Sequence, residues 1–270
     1  MQAAADAGLD VIALTDHDTT RGWDEAAGAL PSGLSLVRGV ELSCRHVTAT
    51  PMSDPAEGIS LHLLAYLFDP AEPVLAEQRQ LVREGRLSRG QRMLDMLRAD
   101  GFVLSWDDVL RDAGGGTVGR PHIARALVRA GYVSDVDTAF GPRWLATHGR
   151  YWAAKYEIDS VEAVRLVRAA GGVAVMAHPR AGKRGRTVSD TDIADLAAAG
   201  LGGLEVEHED HSPAERRQLA ALAADLGLLT TGSSDFHGTN KATPLGAYLT
   251  DPAGYEVIVA LASGCPVVTG

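Results

Sequence analysis

Short apolar runs alternate with longer helical patterns along most of the chain. Each run is rich in Val, Ile and Leu and is bounded by Gly or polar residues, which is the pattern of buried β-strands. The runs lie at 10–18, 34–43, 59–69, 171–179, 201–210 and 226–238. Apolar residues at helical spacing fill several of the gaps, at 160–170, 190–199 and 213–226. Strands that alternate with helices predict an α/β fold with a parallel sheet.

The middle of the chain, residues 73–156, follows a different pattern. Amphipathic helical segments follow one another, Arg is common, and strand-like runs are absent from this part of the sequence. A run of three glycines, 114–116, interrupts the helices. We therefore predict a sheet domain formed by residues 1–72 and 157–270, with an all-helical insertion at 73–156.

Histidines and carboxylates lie in the strand-like runs, most of them at or near the C-terminal ends. They are Asp16, His17, Glu41, His62, His178, Asp235 and His237. In parallel α/β folds this edge of the sheet is where functional sites form. A set of imidazoles and carboxylates without thiolates suits Zn, Mn or Fe, and a glutamate in it can bridge two ions.

Taken one at a time, these residues have simpler explanations. His62 lies among apolar neighbours, as a histidine of the core would, and the same applies to His178. Asp16 and Asp235 are suited to capping a helix. Their recurrence in successive strands is what favours a shared metal site.

Composition narrows the classes of function. The formal net charge is −10, from 25 Lys and Arg against 35 Asp and Glu. An acidic chain without a long basic stripe is not expected to bind duplex DNA. A small anionic substrate is still compatible with this charge, because a local group of Lys and Arg residues at 179–186 can attract it. Cys44 and Cys265 lie far apart, as expected for a reduced, cytoplasmic protein, and no apolar run reaches the ~18 residues of a membrane span.

Five motifs together resemble successive motifs of the polymerase-and-histidinol-phosphatase (PHP) superfamily. They are LTDHDT (14–19), RGVELS (38–43), LHLLAY (61–66), MAHP (176–179) and GSSDFHG (232–238). GRPHIARALV (119–128) resembles the subfamily that removes the 3′-phosphate of nucleoside 3′,5′-bisphosphates and trims short RNA from its 5′ end. The resemblance covers nearly the whole chain. It implies a distorted (β/α)7 TIM-like barrel, a substrate-covering helical insertion and a phosphoesterase that acts through a metal-activated hydroxide.

The resemblance also implies a metal role for the matched residues. Glu41 would bridge two of up to three divalent ions, which would be manganese, with iron, zinc or magnesium as alternatives. The other expected ligands are Asp235 for the first ion, His62 and His178 for the second, and His17 and His237 for the third. Asp16 would orient a ligand and would complete a catalytic set with His17, Glu41 and Asp235.

Four further residues are expected to contact the substrate, a small anionic nucleotide or short RNA. Arg120 and His122 would reach a phosphate or ribose, although a surface role for Arg120 is the alternative. Ser43 would donate to a phosphate oxygen, or is simply a serine at a strand end. His211, like His208 before it, would contact substrate or lie in a solvated loop.

The family pattern begins with a strand that carries Asp-x-His-x-His, whereas this chain starts within the helix that follows it. The barrel is therefore expected to lack its first strand. One expectation is that an upstream segment supplies this motif, and the retained later motifs favour it. The other is a degenerate nucleotide-binding relative with an incomplete metal centre. An alternative of another enzyme class is a metal-dependent amidohydrolase, against which TDHD (15–18) and GVELS (39–43) argue.

Overall fold

A computed structural model describes residues 1–48, 58–238 and 241–270 and shows a mixed α/β fold. The strands are β1 Val11–Leu14, β2 Ser35–His46, β3 Ile59–Tyr66, β4 Ile158–Asp159, β5 Val173–Met176, β6 Gly203–Glu207, β7 Leu229–Gly232 and β8 Val268–Thr269. The α-helices are α1 Gln2–Asp6, α2 Trp23–Gly28, α3 Pro73–Ala99, α4 Trp106–Ala113, α5 Arg120–Arg129, α6 Val136–Ala139, α7 Ser160–Ala169, α8 Asp190–Ala199, α9 Pro213–Leu226 and α10 Pro252–Leu261. Ser189 and Ser212 cap the N-termini of α8 and α9. In each capping box the serine and the third helical residue accept hydrogen bonds from each other's backbone N–H groups.

The sheet is mixed and follows the order β1-β2-β3-β5-β6-β7, with β4 and β8 also paired to β2. Pairing is parallel between β1 and β2, between β5 and β6, and between β6 and β7. The wholly parallel sheet expected from the sequence is wrong for β3, which runs antiparallel to both β2 and β5. The described residues between β2 and β3 form no helix, and an antiparallel pair needs no helical crossover.

Strand β2 organises the sheet because its two halves have different neighbours. Ser35 and Leu36 pair with both β1 and β8, whereas the half from Gly39 to His46 pairs with β3. Gly39 lies at the change of partner, where a Cβ atom would come within 3.0 Å of the Ala65 carbonyl oxygen and of Thr15 Cγ2. A Cβ atom here would force these neighbours to shift, so the position favours glycine. The arrangement places Glu41 on a central strand with a neighbour on either side.

The chain divides into two compact units. The first comprises Met1–Glu77 and Ile158–Gly270 and contains the sheet, with a core in which Leu64, Val173 and Val175 are buried. The second comprises Gln78–Glu157 and is helical. Its separate core includes Leu97 and Ile123, against which a set of aromatic side chains packs. Each unit therefore has the apolar interior that an independent domain requires.

Among the described residues, no helix is both long enough and apolar enough to cross a membrane.

Candidate metal centre

Glu41 is the residue around which the site is built. It is a buried carboxylate in β2, only 6% exposed. His17, directly beyond β1, forms an isolated parallel bridge with Glu41, and its Nδ1 lies 3.5 Å from Glu41 Oε2. His62 reaches the same carboxylate from β3, with Nδ1 2.5 Å from Glu41 Oε1. One ligand atom from each of these three residues lies within 4.8 Å of the others.

The strand register explains why His62 and Glu41 meet. Glu41 pairs with Leu64 across the antiparallel β2–β3 ladder, and His62 is two residues from Leu64. Side chains alternate along a strand, so His62 and Leu64 project from the same face. A diagonal neighbour on one face is within reach of a long side chain.

His178 approaches Glu41 from β5 by way of an unusual backbone conformation. Its φ is 31°, a region that costs free energy for a residue other than glycine. The backbone N–H of His178 donates to Glu205 Oε2 at 2.7 Å, and its Nε2 lies 3.3 Å from Glu41 Oε1. Glu205 is a buried carboxylate in the neighbouring strand β6. It therefore holds the backbone that aims the His178 ring at Glu41.

A second carboxylate, Asp235, lies beyond β7 and is also in the left-handed region, with φ of 46°. Its Oδ1 lies 3.3 Å from Nδ1 of His237, and its Oδ2 lies 3.5 Å from Nε2 of His208. The ammonium of Lys241 also donates to Oδ2. His208 is fully buried, and its Nδ1 accepts from the Asp210 backbone N–H at 3.0 Å, which leaves Nε2 facing Asp235.

The histidine rings form a continuous series that connects the two carboxylates. Ring centroids are 6.2 Å apart for His237 and His17, 4.8 Å for His17 and His62, 5.4 Å for His62 and His178, and 5.5 Å for His178 and His208. The structure thus gathers every residue that the sequence predicted as a metal ligand. Their assignment as ligands stays a prediction.

The electrostatics of the site keep both carboxylates ionised. Burial raises the pKa of Glu41, but His17 and His62 together lower it by more. The net pKa is therefore well below the ordinary value for glutamate. Burial likewise raises the pKa of Asp235, whereas the nearby His208 and the ammonium of Lys241 bring the net pKa down. Ionised carboxylates and neutral imidazoles are the ligand forms that divalent cations bind. By their donor chemistry and their convergence, these residues fit a divalent metal ion.

Asp16 lies at the edge of the site, whereas Ser43 is buried beside Asp18. Asp16 is exposed as a whole residue, but its carboxyl group is partly shielded from water. This desolvation raises the pKa of the carboxyl group, and the nearby His237 opposes the rise. Ser43 is fully buried, and its hydroxyl donates to Asp18 Oδ2 at 2.9 Å while its N–H donates to Oδ1 at 2.7 Å. The buried Asp18, whose N–H donates to the Glu41 carbonyl, ties the segment after β1 to β2. Ser43 therefore secures this connection and does not reach solvent.

The other three residues predicted to contact the substrate are His211, which is buried, and Arg120 and His122, which lie in the helical unit. His211 is 2% exposed; its Nδ1 donates to the Val206 carbonyl and its Nε2 accepts from the Arg180 N–H. Both ring nitrogens of His211 thus form hydrogen bonds with backbone groups, so His211 does not lie in a solvated loop. Arg120 donates to the Leu145 carbonyl at 3.1 Å, and His122 Nδ1 accepts the Gly119 N–H at 2.8 Å. Arg120 and His122 both belong to the second unit.

Sequence reasoning missed three side chains that shape the site: Asp18, Glu205 and Lys241. Glu205 had a usable signal, because it is a charged residue inside an otherwise buried strand, and buried carboxylates need partners. Asp18 and Lys241 had none, since their contacts depend on loop conformation.

Histidines and carboxylates from several strands, and from the segments that follow them, converge in this mixed α/β domain, as is typical of metal-dependent hydrolases. No protein-family profile matches the chain. The 3′,5′-nucleoside bisphosphate phosphatase of Chromobacterium violaceum is 37% identical over 237 residues, which cover 86% of this chain and 78% of that protein. A 5′-3′ exoribonuclease of Haemophilus influenzae is 32% identical over 232 residues, covering 85% of this chain and 80% of the relative.

A solved structure agrees with these relatives. A protein of Bifidobacterium adolescentis, described as a metal-dependent phosphoesterase, superposes with a TM-score of 0.86 at 36% identity and covers 97% of this chain and 89% of its own. The chain belongs to this family of PHP-type metal-dependent phosphoesterases. It is an enzyme that hydrolyses phosphoric esters and depends on a divalent metal, as the resemblance implied.

Proposed function

We propose that this phosphoesterase removes the 3′-phosphate of nucleoside 3′,5′-bisphosphates and also degrades short RNA from its 5′ end. The observation that carries the proposal is the convergence of His17 and His62 on the buried Glu41, beside a second carboxylate, Asp235. The names of the two curated relatives, a nucleoside bisphosphate phosphatase and an exoribonuclease, supply the substrate class.

The cofactor in this proposal is manganese, with iron, zinc or magnesium as alternatives, and up to three ions. Glu41 would bridge two ions, and the remaining ligands would be His17, His62, His178, Asp235 and His237. Bound divalent ions supply a hydroxide at neutral pH and stabilise the negative charge on phosphate oxygens. Glu205 orients His178 through the backbone, and His208 places its Nε2 3.5 Å from Asp235 Oδ2.

The fold and domain organisation in the proposal follow the family. The sheet of the first unit is taken as part of a distorted (β/α)7 barrel, and the helical segment as a substrate-covering insertion. Arg120 and His122 stay assigned to the substrate on the resemblance alone. Burial, followed by the positive charge of Arg86, lowers the pKa of Arg120, and such partly desolvated cations suit a phosphate ligand.

The test is phosphate release from adenosine 3′,5′-bisphosphate by the purified chain, with Mn²⁺ and with EDTA. Release that requires the metal and leaves 5′-AMP supports the proposal. A 5′-phosphorylated RNA trinucleotide, followed by chromatography, tests the ribonuclease activity separately. Binding of the nucleotide without turnover would favour the degenerate relative, and hydrolysis of an amide substrate in place of the phosphate ester would favour an amidohydrolase.

A further inference from the structure

Lys241 places a positive charge directly on one of the two carboxylates of the site. Its ammonium donates to Oδ2 of Asp235, a side chain that is only 11% exposed. The same ammonium lies 3.6 Å from Oε1 of Glu209. One cation is therefore shared between a carboxylate inside the histidine cluster and a carboxylate outside it.

A divalent ion bound to Asp235 would lie close to the ammonium that already contacts Oδ2 of the same carboxylate. Metal–carboxylate bonds are shorter than hydrogen bonds, and two cations a few ångströms apart repel each other strongly where solvent is partly excluded. We propose that Lys241 is an internal counter-ion that competes with the metal for Asp235 and transfers to Glu209 when an ion binds. This inference rests on the proposed role of Asp235 as a metal ligand.

Glu209 is suited to receive the ammonium. Thr243, two residues after Lys241, donates its hydroxyl to Oε2 of Glu209, which leaves Oε1 directed towards the lysine. The Glu209 side chain is 30% exposed against 11% for Asp235, so an ion pair there costs less desolvation. The transfer moves the ammonium between two acceptors that it already approaches, without unfolding any element.

The competition predicts that removing the ammonium tightens metal binding. We would titrate Mn²⁺ into the metal-free chain by calorimetry and compare Lys241→Met with Lys183→Met. Lys183 is exposed and its replacement makes the same change in net charge. Lys241→Met is expected to bind about tenfold more tightly than the wild type, the scale of a partly buried ion pair, whereas Lys183→Met changes little. Lys241→Gln serves as a second variant if the first does not fold.

Glu209→Gln tests the second half of the proposal. Loss of the receiving carboxylate is expected to weaken Mn²⁺ binding when Lys241 is present and to have no effect in the Lys241→Met background, a coupling that a double-mutant cycle isolates. Equal effects of Glu209→Gln in both backgrounds would refute the transfer.

The outcomes separate this inference from the proposed function. If Asp235→Ala binds Mn²⁺ as well as the wild type, Asp235 is not a ligand, and both this inference and the place of Asp235 in the proposed ligand set fail. If binding depends on Asp235 but Lys241→Met binds no more tightly than Lys183→Met, the competition is refuted and the proposed function stands. Weaker binding by Lys241→Met would show instead that the lysine supports the ligand geometry.

Discussion

Single residues in strained or buried positions determine how this site is assembled. His178 and Asp235 both have positive φ without being glycine, and each contributes a side chain to the cluster. Such conformations persist only where surrounding contacts compensate for their cost. Hydrogen bonds from the two backbones, to Glu205 Oε2 and to Ser233 Oγ, supply part of that compensation.

Glu41→Ala tests the residue on which the imidazoles converge. We expect it to lose bound metal and to abolish phosphate release, because three histidine side chains lose their common carboxylate. Metal content by mass spectrometry and phosphate release measure the two effects. Glu162→Ala, an exposed position on α7, is the matched control and should retain both. Full metal content in Glu41→Ala would contradict the central role of this carboxylate.

Glu205 acts through the backbone of His178, so its conservative and disruptive variants should differ. In Glu205→Gln the amide oxygen still accepts the His178 N–H, and we expect metal affinity within a few fold of the wild type. In Glu205→Ala the N–H loses this acceptor, at a cost of about 1–3 kcal/mol, and Mn²⁺ affinity should fall by tenfold or more. Titration calorimetry gives both values. Equal losses in the two variants would mean that the negative charge of Glu205, and not its hydrogen bond, matters.

At the scale of elements, the sequence predicted where strands end better than how they pair. The runs before His17, His178 and Asp235 are strands, and their ends meet at one cluster. Apolar periodicity carries no information on strand direction, so it cannot distinguish the antiparallel β3 from a parallel strand. The contacts of Asp18 and Lys241 arise from turns rather than from strands or helices, and no spacing in the sequence encodes them.

The start of α8 is a second buried junction, separate from the metal centre. His46, at the end of β2, places Nδ1 2.8 Å from the hydroxyl of Ser160 in α7 and Nε2 3.2 Å from Asp192 in α8. Asp192 also accepts the N–H and the hydroxyl of Ser189, both at 2.8 Å. One strand and two helices are thus joined through a histidine in the interior.

Asp192→Ala should destabilise the fold by about 1–2 kcal/mol, because it removes a capping box and the partner of His46. Burial raises the pKa of Asp192, but hydrogen bonds from Ser189 and then His46 bring the net pKa below 3.8. A depressed folded-state pKa adds stability that is complete above 3.8 and is lost as pH falls through the folded value. The difference between wild type and variant in urea unfolding should therefore shrink only below about pH 4. Asp195→Ala, exposed on the same helix, should show no such difference at any pH.

At the scale of the whole molecule, the site belongs to one of two compact units. The metal-ligand candidates all lie in the unit formed by Met1–Glu77 and Ile158–Gly270, and the second unit has its own core. A ligand stabilises what it binds by mass action, about 2.7 kcal/mol at 100 times Kd. Hydrogen exchange resolves such stabilisation along the chain.

We therefore expect Mn²⁺ to slow amide exchange in β2, β3 and β5 and to leave α4 and α5 of the helical unit unchanged. Mass spectrometry of peptides from the chain with Mn²⁺ or EDTA measures this, and Glu41→Ala provides the control in which neither unit should respond. Equal protection of both units by the metal would show that they open as one cooperative body. Protection confined to the helical unit would contradict the placement of the metal at Glu41, because a bound ion slows exchange first in the elements that supply its ligands.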